Sequence, residues 1–394
     1  MFYELQPQIQ QDNYKKMLSI VGSLTQLFSE SNCPYLAYRA HENIFCKYFE
    51  AENLARLDCS ADAKKNRIGI GLKTWTGQDD QKVAEFGKLR ETFAGLSGLE
   101  LVKKIAEYRN ERIRITKNLN GIDEMIYHVI KRIPGAMQVF ECAFDYIDIE
   151  HISLITNRGN VNNTYFTDGR HTYHFSTSKN TLYMIFEDME LLDNFNVEIM
   201  DDPYTCLMNL LPTVSTEIKG VADDPKQLSS KENKICLRLY SVKADGTKFV
   251  AEKSGLNQWN AGGRKRDANE VYIPYQKIDR DRDVNFFPAR DTVFNLTLPD
   301  GKTIPAKVCQ EADKNNPLIG KSIMSNPNKI LGEWLLRNVF ELPEGTIVTY
   351  EMLQKFGIDS VVFTKKSDLD YSVDFAEIGT YEEFYCTEIN NTEQ

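Results

Sequence analysis

A polar run of 22 residues, TVSTEIKGVADDPKQLSSKENK (Thr213–Lys234), interrupts the chain and constrains its fold more than any other stretch. Pro225 and the Ser229–Ser230 pair favour turn and coil over regular structure, so the segment reads as a linker. It leaves two parts of the 394 residues, each of ordinary domain size. With 42% apolar and 26% charged residues, each part can bury a core without staples. The expected division is a first domain at 1–212, a linker at 213–232, a second domain at 233–375 and an acidic tail at 376–394.

Several classes are disfavoured at once. No run approaches the ~18 consecutive apolar residues of a membrane span. The start, MFYELQPQIQQDNYKK, lacks the basic and apolar regions of a secretion signal, so a cytoplasmic location is expected. Eight cysteines carry no CxxC pair, which argues for reduced thiols rather than zinc or a disulfide framework. The net charge of −10 is uneven: residues 367–394 hold eight acids and no base, whereas 251–338 hold 14 Lys+Arg against 11 Asp+Glu. An acidic average can thus conceal a local anion-binding surface.

The first part mixes helices and strands. Met17, Ile20, Val21, Leu24 and Phe28 recur at helical spacing, and a second helix is predicted over 38–50. Strands are predicted at 57–63 and 67–75 around a Lys64-Lys65-Asn66 turn, then helices at 81–93, 99–115 and 122–133. Strand character dominates from Gln138 to Met200. Beyond the linker, short β-type runs alternate with Gly, Asn and Pro turns around one helix at 329–338.

The stretch LDCSADAKKNRIGIGLKTWTGQDDQKVAEF (Leu57–Phe86) carries the most chemistry in the first part. Period two puts Asp58, Ser60 and Asp62 on one strand face, and Lys73 shares the next strand's face with Gly69 and Gly71. An acid beside a lysine on a hairpin is the minimum for metal-assisted phosphodiester hydrolysis: the acid holds a cation against the phosphate and the lysine orients water. Read from the residues alone, the same face is also that of a solvated strand with a surface lysine.

With this pattern the stretch resembles the PD-(D/E)XK nuclease superfamily, whose signature is an acid, a hairpin, then acid-x-Lys. Gly71 departs from it, standing where the second carboxylate belongs. Some restriction endonucleases of that superfamily supply this carboxylate about a dozen residues beyond the lysine, and Glu85 stands twelve beyond Lys73. Glu42, on the preceding helix, is a candidate accessory acid. The resemblance implies an α/β (α+β) domain holding Mg²⁺ at Asp58, Asp62 and Glu85.

Two rival chemistries lack their residues. A phospholipase-D-type nuclease needs His-x-Lys, and none of the five histidines is followed two later by lysine. A zinc hydrolase needs clustered ligands, and His171 with His174 is the sole close pair, on opposite faces if in a strand. The surrounding TDGRHTYHFSTSKNTL, with Arg170, His171 and Lys179, suits either phosphate contacts or a plain hairpin.

In the second part SGLNQWNAGGRKRDANEVYIP (Ser254–Pro274) gathers Asn257, Gln258, Asn260, Arg264, Arg266, Asp267 and Asn269 around Trp259 and the Gly262–Gly263 pair. Asn and Gln pair with adenine, Arg with guanine, and Asp accepts from cytosine, so this loop is equipped to read bases. A second polar arm, GKSIMSNPNK (Gly320–Lys329), leads into a helix. Two ordinary surface loops are the alternative reading.

These motifs, followed by FFPARDTVFNLTLPDG, AKVCQ, SNPNKILGEWLLR and FGIDSV, resemble the C-terminal DNA-recognition domain of NgoFVII-type restriction endonucleases over about 238–365. That resemblance implies an all-β pseudobarrel of the B3 kind, gripping the major groove with two arms. By resemblance, Asn257, Gln258, Trp259, Asn260, Arg264, Arg266 and Asp267 contact bases or backbone from one arm. Lys321, Ser325, Asn326 and Asn328 do so from the other. Together the two resemblances imply a type II restriction endonuclease: Mg²⁺-dependent, specific for a short double-stranded DNA site, and homodimeric so that both strands are cut. A non-enzymatic DNA-binding protein and a nuclease dependent on modified bases remain alternatives.

Overall fold

The computed structural model describes residues 1–54, 59–77, 79–160, 162–187, 189–210, 233–283, 285–313 and 316–385. Two compact units are present: Met1–Arg109 with Ile122–Leu228, and Asn110–Gly121 with Ser229–Gln394. The expected linker at 213–232 lies outside the described residues. Among the described residues no helix is long and apolar enough to cross a membrane.

The first unit opens with α1 (Gln8–Ser23) and α2 (Tyr38–Tyr48). Then come β1 (Glu52–Asn53), β2 (Ala63–Lys65), β3 (Ile68–Trp75), β4 (Asp80–Glu85), α3 (Gly98–Asn120), β5 (Glu124–Ile133) and β6 (Ala136–Ala143). It closes with β7 (Ser153–Asn160), β8 (Asn163–Thr167), β9 (Thr172–Ser176), β10 (Thr181–Ile185), β11 (Glu190–Asn196) and α4 (Pro203–Leu210). One sheet is ordered β1-β2-β3-β5-β6-β11, the other β4-β10-β9-β8-β7. β3 and β5 are parallel, linked by a crossover that includes α3. Leu18, Phe45, Ile70, Leu72, Ile130 and Val139 join α1 and α2 to the first sheet in one core.

Two predicted helices are strands instead. Of residues 122–133, Glu124–Ile133 form β5, buried on both faces between β3 and β6. A strand covered on both sides reads as a continuous apolar run, which periodicity cannot tell from a buried helix. Residues 81–85 belong to β4, paired with β10, and only Gly87–Phe93 coils, as a 3₁₀ turn kinked at Leu89. The first helix starts earlier than predicted, at Gln8, and stops at Ser23. Lys64 and Lys65 lie in β2, so the hairpin turn is Asn66-Arg67, with Asn66 left-handed at φ 56°.

The second unit is built on β12 (Lys234–Arg238), β13 (Ser241–Val242), β14 (Lys248–Phe249), β15 (Ile273–Pro274), α5 (Lys277–Arg282), β16 (Val293–Thr297), β17 (Thr303–Asp313) and β18 (Asn316–Ser325). It continues with α6 (Ile330–Gly332, widening into π-helical turns at Glu333–Val339), α7 (Tyr350–Phe356), β19 (Ile358–Lys365) and β20 (Asp370–Glu377). Its seven-stranded sheet runs β12-β19-β20-β16-β17-β18-β15, and the end strands β12 and β15 approach each other in a nearly closed barrel. Closure removes exposed sheet edges. Leu237, Phe294, Val308, Leu335, Phe356, Val361 and Phe375 fill the interior.

The expected acidic tail begins inside this fold. Tyr381 donates to the buried Asp279 at 2.6 Å, and Tyr385 both donates to Cys236 O (2.9 Å) and accepts from Cys236 N–H (3.2 Å). Residues 386–394 lie outside the described residues.

Candidate functional site

In the first unit, the hairpin register sets the geometry around Lys73. Asp62 precedes β2; its N–H donates to Ile70 O at 2.9 Å and its Oδ2 accepts from Leu72 N–H at 2.7 Å. These two bonds bracket Gly71 on β3. A Cβ at Gly71 would come within 2.9 Å of the Tyr127 ring and 3.0 Å of the Phe144 ring. Those rings stack at 4.0 Å, so the space a second carboxylate would need is filled.

Glu42 reaches the same neighbourhood from α2. It is 6% exposed, and Arg39 Nη1 donates to its Oε2 at 2.9 Å. Burial raises the Glu42 carboxyl above its ordinary value, Arg39 pulls it down, and the charge of Asp62 pushes it up. Asp62 is likewise raised by burial, with Lys73 and the Leu72 N–H opposing. Lys73 is half-buried, and desolvation lowers its ammonium below the ordinary range against the attraction of Asp62 and Glu42. Among the described residues Lys73 makes neither a hydrogen bond nor an ion pair. Glu42, Asp62 and Lys73 therefore lie close enough to sense one another's charge.

Of the other two expected carboxylates, only Glu85 is described, and it does not join this set. Asp58 lies outside the described residues. Glu85, expected on a helix, ends strand β4 in the second sheet, where its exposed carboxylate pairs with Lys82 at 2.8 Å. Among the described residues no three or more His, Cys, Asp or Glu side chains are grouped to hold a metal. His174 is stacked between Tyr165 (4.8 Å) and Tyr183 (4.5 Å), away from any metal cluster with His171. Arg170, a phosphate-contact candidate, is paired with Asp145 at 3.1 Å and lines a pocket of about 220 Å³ with His171.

In the second unit, the Ser254–Asp267 arm is held by several of the residues expected to touch DNA. Asn257 is fully buried: Nδ2 donates to Val348 O (2.9 Å) and Ala251 O (3.1 Å), and Oδ1 accepts from Val348 N–H (2.8 Å). Gln258 is 9% exposed, and Trp259 packs on the barrel core. Asn260 donates to Glu252 O at 2.9 Å. Arg266 ties the loop to itself, donating to Ala261 O (2.6 Å) and Gly262 O (2.7 Å). Asp267 Oδ1 accepts from Asn269 N–H at 3.0 Å. The exposed tip is Gly262, Gly263, Arg264 and Lys265, with Arg264 bonded to the buried Glu270.

Residues that the sequence did not single out secure the arm's base. Arg337 donates to Ala268 O (2.9 Å), Asn269 Oδ1 (2.8 Å) and Leu342 O (2.6 Å). Gly332 lets α6 lie against Asn269, whose carbonyl oxygen a Cβ would strike at 1.9 Å. On the second arm Lys321 and Asn326 are exposed and Asn328 is half-buried. Ser325, by contrast, is 1% exposed, and its Oγ caps the Leu331 N–H at 2.9 Å. Asn257 and Ser325 thus shape the arms from beneath, and Arg264, Lys265, Lys321 and Asn326 face solvent.

No curated protein matches the chain. Residues 227–367 match the family model of the NgoFVII C-terminal B3-like DNA-binding domain, a span that includes the whole of both arms. The nearly closed barrel agrees with the B3-like pseudobarrel expected from the sequence. This part of the second unit is a NgoFVII-type B3-like DNA-binding domain.

Proposed function

We propose that the protein is a type II restriction endonuclease. The B3-like domain binds a short specific sequence in double-stranded DNA, and the first unit hydrolyses the phosphodiester in a Mg²⁺-dependent reaction. The observation that carries the nuclease half is the meeting of Asp62, Lys73 and Glu42 across a hairpin and its neighbouring helix.

The donor set fits the metal. Mg²⁺ is commonly held by one or two carboxylates, with water and substrate phosphate completing its shell. Glu42 Oε1 and Asp62 Oδ1 accept no hydrogen bond from the described residues, which leaves one oxygen of each carboxylate for a cation. Glu42 here takes the part first expected of Glu85. The bound cation would neutralise charge on the scissile phosphate and lower the pKa of water. Lys73, depressed by burial and unpaired among the described residues, orients the attacking water or takes its proton. Asp62 is fixed for its role by the Leu72 N–H. Cutting both strands calls for two such sites, hence a homodimer on DNA.

A non-enzymatic, sequence-specific DNA-binding protein is the second reading, favoured by the lack of a three-ligand group among the described residues. Incubation with unmethylated phage DNA in Mg²⁺ and in EDTA separates the two. Discrete fragments in Mg²⁺ alone support the endonuclease. Fragments in EDTA overturn the metal's role, and no cutting with a specific gel shift retained favours the binding protein.

A further inference from the structure

Glu42 is more than nine-tenths buried, yet the arginine bonded to it, one helical turn earlier, keeps more than half of its side chain (55%) in water. The i,i+3 spacing on α2 puts Arg39 Nη1 2.9 Å from Glu42 Oε2. The charge of the same guanidinium also acts on Asp62. One cation therefore serves both carboxylates that the proposed nuclease reading assigns to Mg²⁺.

We propose that Arg39 is a resident counter-charge for the Glu42–Asp62 pair that competes with a divalent cation for it and yields when the metal enters. The inference rests on the metal-holding role proposed for those two residues. A carboxylate as buried as Glu42 cannot stay ionised without a partner. Lys73 attracts both carboxylates but among the described residues pairs directly with neither, so the bonded counter-charge of Glu42 is Arg39. A guanidinium at the solvent boundary can leave, because an ion pair half in water is weak. A divalent cation brings twice the charge to the same oxygens, and it cannot share them with a guanidinium.

The test is calorimetric titration of Mn²⁺ into the full-length, DNA-free protein, which reads metal binding without catalysis. Arg39→Gln is expected to bind Mn²⁺ about fivefold more tightly than the parent, the competing charge being gone. Arg39→Lys keeps that charge and is expected to bind as the parent does. Should circular dichroism find Arg39→Gln misfolded, Arg39→Met, an uncharged side chain of similar reach, replaces it. Equal or weaker affinity in the uncharged variant, with Mn²⁺ still bound by the parent, overturns the role of Arg39 and leaves the nuclease reading standing. No Mn²⁺ binding by either protein overturns both. Glu42→Gln is expected to erase the binding; heat unchanged by it would place the metal elsewhere and overturn the inference.

Discussion

Asn257 and Val348 clasp each other across 91 residues of sequence: the amide Nδ2 donates to the Val348 carbonyl at 2.9 Å, and Oδ1 accepts from its N–H at 2.8 Å. A side chain with no exposed surface and both ends of its amide engaged cannot also read a base. The densest run of base-reading residue types in the chain is therefore part scaffold.

Replacing Asn257 by Ala would strand the Val348 N–H and two carbonyls in the interior. The expected cost is about 2–4 kcal/mol, read from urea unfolding of the second unit by the fluorescence of Trp259 and Trp334. Affinity for specific DNA should persist wherever the variant is folded. Unchanged stability with lost affinity would return Asn257 to the contact surface.

Lys265 and Lys321 are exposed on the two arms. If each neutralises one phosphate, Lys265→Ala and Lys321→Ala will weaken binding to specific and non-specific DNA alike. Each should lower the slope of log K against log[salt] by about 1 without changing stability. Arg266→Ala should behave oppositely, lowering the unfolding midpoint because two loop carbonyls lose their donor. Salt titrations of all three variants separate a phosphate contact from a loop brace.

The arms could be found from sequence because Gly, Asn and Arg at such density mark a polar loop. Which side chain points outward could not, since Asn257 and Arg264 are equally polar on paper. Lys265 gives no signal in the sequence because a lone lysine carries no base-reading pattern, and Arg337 gives none because it lies some 70 residues beyond the loop it braces. In the first unit α2 and β3 were legible through periodicity, whereas Asp62 precedes β2 instead of lying within a strand and the turn falls at Asn66-Arg67 instead of Lys64-Lys65-Asn66. β5 was not legible, since burial on both faces gives it the composition of a core helix. Glu85 reads as helical for a related reason: the alternation of β4 is short and broken by a register shift against β10.

Lys73 bears on stability as well as chemistry. Its folded-state value is lowered from 10.5 by burial. Between that lowered value and 10.5 the unfolded chain holds more protons, so stability rises with pH through the window, and below it the buried charge is a fixed cost. Lys73→Met should raise the melting temperature of the metal-free protein at pH 7. Cleavage should fall at least ~100-fold with specific DNA binding intact. A lower melting temperature would mean that the ammonium is a structural partner rather than a strained functional group.

Glu42 and Asp62 carry the opposite sign. Burial raises both above their ordinary values of 4.5 and 3.8. Their contribution to stability is full below those values and lost as pH rises through the folded-state values. Millimolar Ca²⁺ should restore part of that loss, raising the melting temperature at pH 8, and the effect should disappear once acid has protonated both groups. Asp62→Asn should abolish the Ca²⁺ effect at pH 8. A shift that survives the substitution would place the ion elsewhere.

The second unit needs a segment that precedes it by more than a hundred residues. Residues 110–121, the C-terminal half of α3, count with it. Ile115 and Leu119 are 2% and 6% exposed, in one cluster with Val339, Phe340 and Phe356. Arg114 and Asn118 donate to Val339 O at 3.3 and 3.0 Å, and Arg112 lies where a Cβ on Gly357 would sit, 3.0 Å away. Gly357 can accept that neighbour and hold φ 83° because it has no side chain. Leu119→Ala should then cost about 2–4 kcal/mol in the unfolding of the DNA-binding unit, although it lies outside the span matched to that family. Residues 229–394 made alone should unfold at lower urea than the same unit within the whole chain, because Val339, Phe340 and Phe356 lose apolar cover. Equal midpoints would show that the B3-like domain closes its core without α3, and would also predict a silent Leu119→Ala.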